Sequence, residues 1–195
     1  MDAPEAEPFT VLVICTANQY RSPLGEFFLR AGAERRGLPW RVGSAGTHAR
    51  GGDPLDPLIE ELLADHDLRP DGWRSRRLTS AVLAEADLVL TAERSNRSAV
   101  SILEPAARGR TFLLLQFARL VAAALTSASA NGTNVWKDLI STAAAAQAQL
   151  QPAPEGDDEV ADPVGRSMRT FRACLTSIHA AAETITAAAA EIDAS

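Results

Sequence analysis

The sequence predicts an α/β fold: a central, parallel, four-stranded sheet with helices on both faces and an anion-binding loop after the first strand. Three observations predict it. Short runs of β-branched and aliphatic residues alternate with longer segments of helical period, the pattern of a parallel sheet with crossover helices. The first run, Val11 to Ile14, has no polar break, as expected of a strand buried on both faces. That run leads straight into Cys15, with Arg21, Ser22 and Pro23 close behind.

The 195 residues, 46% of them hydrophobic, suit one domain over 1–195 with a sizeable core. Residues 1–8 are acidic and Pro-rich, read as a disordered lead-in, and lack the basic and apolar regions of a signal peptide. Phe9 to Ile14 is the first strand. Ser22 is placed to cap a helix whose first residue is Pro23. That helix extends to about Gly37, with Leu24, Phe27, Phe28 and Ala31 on one face as core. Trp40 to Ser44 is the second strand, 48–57 is loop by composition, and Leu58 to Ala64 is helical. Arg69 to Arg77 is an arginine-rich stretch, read as a solvated surface loop with phosphate steering as the alternative.

Thr79 caps a short helix through Glu85, and Asp87 to Thr91 is the third strand. Ser95 and Asn96 open the next helix, and Thr111 to Leu115 is the fourth strand. Right-handed crossovers then bring the C-terminal ends of the strands to one rim. Residues 116–151 are Ala-rich and helical in propensity; the acidic stretch 152–161 reads as a mobile linker. Together they suggest a helical insert and acidic linker over 116–160, packing on the sheet edge within the domain. A closing helix from about Arg166 to Ile192 places Phe171, Leu175, Ile178, Ala182 and Ile185 on one face.

A net charge of −6 argues against nucleic acid or an anionic membrane as partner, and no stretch has the length and uniform apolarity of a membrane span. The two cysteines, Cys15 and Cys174, do not make a disulfide framework, and a nucleophilic thiol needs a reducing compartment, so a cytoplasmic protein is expected. Cys174 within the closing helix reads as inert packing. His48, His66 and His179 are scattered without metal-ligand spacing, and no metal or other cofactor is expected. His48 lies in a loop bordering the predicted site. Nothing in the sequence fixes the oligomeric state.

The loop from Cys15 to Arg21 carries the chemistry. It leaves the C-terminal end of a strand and feeds a helix N-terminus, where ligands sit in open α/β sheets. Such a terminus offers unpaired N–H groups and the positive end of the helix dipole, and consecutive N–H groups in a tight loop curl into an anion nest. A cysteine at its base lies in a positive field that favours the thiolate. Arg21 adds a planar fork able to grip two phosphate oxygens. The bland alternative, a buried small Cys15 and a surface Arg21, loses ground because a strand precedes the pair and Ser-Pro with a helical pattern follows it.

I-C-T-A-N-Q-Y-R-S-P resembles the phosphate loop of the low-molecular-weight protein tyrosine phosphatases. Ser44-Ala45-Gly46-Thr47 resembles that family's S-A-G-T stretch. Ala86 to Leu90 with Glu93 to Asn96 resembles its third strand and following turn, and Asp162-Pro163 resembles the D-P pair of its acid loop. These segments occur in the family's order and cover most of the chain apart from roughly 115–160.

The resemblance implies a cysteine-dependent phosphatase that hydrolyses phosphomonoesters, phosphotyrosine in proteins or small aryl phosphates, through a cysteinyl-phosphate. Cys15 is then the nucleophile. The N–H groups of Thr16, Ala17, Asn18, Gln19, Tyr20 and Arg21 with the Arg21 fork hold the phosphoryl oxygens, and Ser22 hydrogen-bonds the thiolate. Asp162 is the general acid and then the base that activates water. Asn18 braces the loop in a left-handed conformation with Ser44 as partner, and Ser75-Arg76 falls near a pair that supports the loop. The sequence departs from the family's pattern in four places. Ala17 stands for glycine, Tyr20 for a second cysteine, Val164 and Gly165 for two tyrosines, and His48 to Arg50 for a stretch with tryptophan. Tyr20 offers a replacement wall for a substrate ring. The competing readings are a non-enzymatic phosphate-binding or regulatory protein, and an arsenate reductase, whose disulfide relay needs more cysteines than Cys174 provides.

Overall fold

A computed structural model of the chain describes residues 8–125, 139–141, 143–145 and 156–193. Strand β1 (Phe9–Cys15) lies at the centre, parallel to β2 (Trp40–Gly46) on one side and β3 (Leu88–Thr91) on the other; β4 (Thr111–Leu113) pairs with β3. The sheet order is β2-β1-β3-β4. In this register Cys15 sits beside Gly46 and Ile14 beside Thr91, so the ends of three strands are level on one rim.

Side chains alternate across β1. Val11 and Val13 face a core built from helices α1 (Arg21–Arg35), α2 (Pro57–Ala64), α5 (Leu114–Leu125) and α6 (Met168–Asp193). Leu12 and Ile14 face a second, smaller core under α3 (Ser80–Ala84) and α4 (Arg94–Leu103). Both faces of the sheet are therefore covered, which is why β1 carries an unbroken apolar run. Phe27 and Phe28 are buried in the larger core, as their spacing predicts. Each fully buried aliphatic side chain, such as Ile14 or Leu90, contributes roughly 1.5–3 kcal/mol relative to exposure.

Helix α1 begins at Arg21, two residues before the expected start. Tyr20 takes the N-cap position without a side-chain cap hydrogen bond. Ser22 is therefore not the cap. Pro23 still falls in the first turn, where the missing N–H costs no helical bond, and the Ser22 side chain is released to point back at Cys15. Thr79 does cap α3, its Oγ1 accepting the N–H of Val82. The fourth strand stops at Leu113 because the chain turns into α5 at Leu114.

Of the proposed lead-in, residues 1–7 lie outside the described residues. Of the stretch 116–160, residues 126–138, 142 and 146–155 do as well. The start of that stretch is α5, which buries Phe117, Leu120 and Val121 in the larger core. The end of the expected acidic linker is not free. Asp158 is buried against Arg119, Glu159 accepts the N–H of Arg94, and the Val160 N–H donates to Ala92 O at 2.8 Å. An acidic composition reads as mobile only while its charges find no partners, and two arginine-bearing helices supply them here. No helix among the described residues is long and apolar enough to cross a membrane.

Candidate active site

At the end of β1 the chain turns sharply. Asn18 adopts a left-handed backbone, φ 55°, which its short polar side chain tolerates better than most. The turn folds the loop around the Cys15 sulfur. Sγ accepts the Asn18 N–H at 3.3 Å and lies 2.9 Å from Ser22 Oγ. Among the described residues the amide hydrogens of Ala17, Gln19 and Tyr20 have no hydrogen-bond acceptor, as expected of the unpaired N–H groups of an anion nest. The floor of the loop is Gly46. A Cβ there would stand 2.7 Å from Thr16 O and 2.8 Å from Asn18 N, so only glycine lets the second strand approach this closely. The next two amides tie the strands together: Thr47 N–H donates to Cys15 O and His48 N–H to Thr16 O.

Asn18 is buried and its side chain is fully used. Nδ2 donates to Ser22 Oγ at 2.9 Å and to Ser44 Oγ at 2.8 Å, while Oδ1 accepts the Arg76 N–H at 2.7 Å. Because Ser22 Oγ accepts from Asn18, its own hydrogen is available to the Cys15 sulfur. Ser44 Oγ in turn donates to Glu26 Oε2 at 2.5 Å, and the same oxygen accepts the Trp73 indole N–H at 3.1 Å. The other Glu26 oxygen pairs with Arg30. Arg76 Nε closes the ring on Ser44 O at 3.2 Å. A chain of hydrogen bonds thus fixes the loop from behind, with each buried polar group partnered.

Arg21 is also buried, and both prongs of its fork are engaged. Nη1 donates to Glu93 Oε2 at 2.9 Å and to Val160 O at 3.2 Å; Nη2 donates to Asp162 Oδ2 at 3.0 Å. Burial alone would lower the pKa of this guanidinium, but the Glu93 hydrogen bond and charge, helped by Cys15 and Asp162, outweigh it and raise it. For Glu93 burial pulls upward, yet hydrogen bonds from Arg21 and Ser95, the Arg21 charge and Thr16 hold its carboxyl below the usual range. Glu93 Oε1 accepts from Thr16 Oγ1 at 3.2 Å and Ser95 Oγ at 2.8 Å, and Asn96 Nδ2 reaches Thr16 Oγ1 at 3.2 Å. Asp162 is half exposed; its second oxygen accepts the Val164 N–H at 3.1 Å.

Cys15, Asn18, Arg21, Ser22, Ser44 and Asp162 are thus gathered at one rim, although they come from β1, the loop after it, α1, β2 and the segment before α6. The Ala17 side chain is exposed and that of Gln19 half-buried, at the mouth of the loop. Tyr20 turns sideways: its hydroxyl donates to Asp56 Oδ2 at 2.8 Å and its ring meets Phe171 edge-on at 5.6 Å. His48 is exposed beside the loop, its ring paired with Thr47. Of the arginine-rich stretch, Arg69 and Arg74 face solvent, while Arg76 backs the loop. Sequence reasoning assigned no role to Glu26, Trp73 or Glu93. The signal for Glu26 was a lone carboxylate in the first turns of an otherwise buried helix. Glu93 stands in the Glu-Arg-Ser-Asn turn after β3 with no local cue to its partner.

A thiol held by a loop amide and a serine hydroxyl, in the same loop as a buried guanidinium, is an arrangement suited to phosphoryl transfer. The family model for low molecular weight phosphotyrosine protein phosphatase matches residues 10–126, more than half of the chain. The chain belongs to this family. As a low molecular weight phosphatase it is a cysteine-based hydrolase acting on phosphorylated substrates, and the matches do not favour a non-enzymatic phosphate binder or an arsenate reductase. It is 35% identical over 109 residues to the low molecular weight protein-tyrosine-phosphatase Etp of Escherichia coli strain K12, covering 55% of this chain and 70% of that one. The fold is shared with the tyrosine phosphatase AmsI of Erwinia amylovora, with a TM-score of 0.67, 22% identity, and coverage of 96% of this chain and 97% of the other. It is shared too with the YwlE arginine phosphatase of Geobacillus stearothermophilus, with a TM-score of 0.63, 24% identity, and coverage of 94% and 92%.

Proposed function

We propose that this phosphatase hydrolyses phosphotyrosine in proteins, with Cys15 as nucleophile and Asp162 as acid and base. The Cys15 thiolate attacks phosphorus; the S–P bond forms as the P–O ester bond breaks. The loop amides from Thr16 to Arg21 and the Arg21 fork hold the three equatorial oxygens. Asp162 gives its proton to the departing phenoxide. Its carboxylate then takes a proton from the water that attacks the cysteinyl-phosphate, the S–P bond breaks, and inorganic phosphate leaves. Ser22 Oγ, 2.9 Å from Sγ, donates its hydrogen to the thiolate and stabilises it as it departs. Asn18 and Ser44 keep the loop in shape, and no cofactor is required.

The observation that carries this reading is the placement of Cys15 Sγ, 2.9 Å from Ser22 Oγ and 3.3 Å from the Asn18 N–H, within a loop closed by a buried Arg21. The name of the Etp relative supports phosphotyrosine as substrate. Val164 and Gly165 beside Asp162 carry no ring, whereas Tyr20 lies in the loop itself with Phe171 against it edge-on, and this pair is the proposed wall for the substrate ring. A cytoplasmic location is the natural setting for a reduced nucleophilic thiol.

The test is turnover of para-nitrophenyl phosphate with inhibition by vanadate. Cys15→Ser abolishes turnover, and Asp162→Ala lowers it by about a hundredfold or more. Full activity in Cys15→Ser rejects the nucleophile. A panel of phosphotyrosine, phosphoserine and phosphoarginine peptides then decides the substrate, the last included because one structural neighbour is an arginine phosphatase.

A further inference from the structure

The Asp162 side chain has to stand over the phosphate loop, and besides its own bond from Arg21 Nη2 it relies on the segment that carries it. Residues 156–167 form turns and irregular chain with no helix or ladder of their own. Three ties anchor this segment upstream of Asp162. The Val160 N–H bonds Ala92 O at the end of β3, and Val160 O accepts from Arg21. Glu159 Oε1 accepts the Arg94 N–H at the start of α4, at 2.8 Å. Deepest of the three, Asp158 is 4% exposed and receives both prongs of Arg119 from α5, Nε to Oδ1 at 3.2 Å and Nη2 to Oδ2 at 2.9 Å.

The Asp158 carboxylate is the buried charge of the segment, and no other side chain bonds it among the described residues. A buried carboxylate deprived of its cation is strongly unfavourable, and the nearest remedy is to move into water. Here moving means lifting the segment off the rim, and Asp162 lies four residues further along it. The two-pronged geometry also fixes direction, which a single contact to a flexible ammonium would not.

We propose that Arg119 is a positioning residue for proton transfer: by clasping Asp158 it holds the acid segment down so that the Asp162 carboxyl reaches the leaving oxygen. This inference rests on the proposed role of Asp162. Arg119 touches neither substrate nor the reacting atoms. Its loss acts on the proton-transfer step and leaves Cys15, Ser22 and the loop amides in place.

The experiment compares kcat/KM for two esters, phenyl phosphate, whose leaving group needs a proton, and 2,4-dinitrophenyl phosphate, whose leaving group departs without one. Arg119→Ala should lower the first by about ten- to a hundredfold and the second by about twofold or less. Arg119→Lys, which keeps the charge but not the fork, should fall between wild type and Arg119→Ala, and it keeps the test open if the alanine variant does not fold. In the Asp162→Ala background, Arg119→Ala should have no further effect on phenyl phosphate, because the step it serves is already gone. Equal losses on both esters, or an undiminished loss in the Asp162→Ala background, overturn the inference. If Asp162→Ala shows the leaving-group effect and neither Arg119 variant does, the inference falls while the proposed function stands. If Asp162→Ala shows none, the acid assignment and this inference fall together.

Discussion

The Cys15 sulfur depends on residues that never touch it. Glu26 and Trp73 act through Ser44 and Asn18, and Gly46 acts by having no side chain. Gly46→Ala places a methyl against main-chain atoms that cannot swing aside, so a loss of about 1–3 kcal/mol is expected together with a fall in kcat/KM. Thermal melting and para-nitrophenyl phosphate turnover check the two effects. Glu93 makes a pH prediction. Burial opposes its charge, but Arg21, Ser95 and Thr16 prevail and depress its folded-state pKa below the ordinary 4.5. Its contribution to stability is therefore present above about pH 4.5 and is lost as pH falls through the lower folded value. Glu93→Gln should flatten the acid limb of a denaturation curve measured over that window; an unchanged limb counts against the pairing with Arg21.

At the scale of elements, α1 and α6 approach tightly against one small residue, a glycine of α1. A Cβ at Gly32 would stand 2.6 Å from Thr186 Oγ1, and Thr186 is fully buried. Gly32→Ala should destabilise by about 1–3 kcal/mol, and Thr186→Ala in the same chain should return part of it. Helix α6 also carries Cys174, whose thiol is pushed up to about 12 by burial, assisted by the charges of Asp162 and Cys15 and resisted by Arg21. A thiol reagent at neutral pH should therefore modify Cys15 in the native protein and Cys174 only after unfolding. Two thiols reacting at one rate would refute that separation.

For the whole molecule, the fold was legible because its evidence is local. The apolar run of Val11 to Ile14, the cap at Thr79 and the glycine of S-A-G-T each announce an element within a few residues. The start of α1 was misplaced because Ser22 is a good cap by type, and only the folded chain shows that Cys15 claims its side chain. Glu93 with Arg21, Trp73 with Glu26, Arg119 with Asp158 and Tyr20 with Asp56 were illegible for one reason: their partners lie dozens of residues away, and composition around them says only that they are polar. The same long-range assembly sets the acid response. His179 is held below its usual range by burial and by His66, so the unfolded chain takes up the proton first. Stability should begin to fall as pH drops through 6.5 and fall further below 4.5 as Glu93 titrates. His179→Phe, which keeps a ring to stack on Phe28, should remove the upper of these two steps in urea melts taken across pH.

The central position of β1 carries a kinetic corollary. Its neighbours in the sheet, β2 and β3, reach it through crossovers, and parallel pairings of that kind close slowly. Since the second carboxylate on Arg21, that of Asp162, arrives with the segment entering the last helix, refolding after dilution from denaturant should restore helical circular dichroism before it restores turnover, and under the proposed role of Asp162 the lag between the two signals would time its arrival.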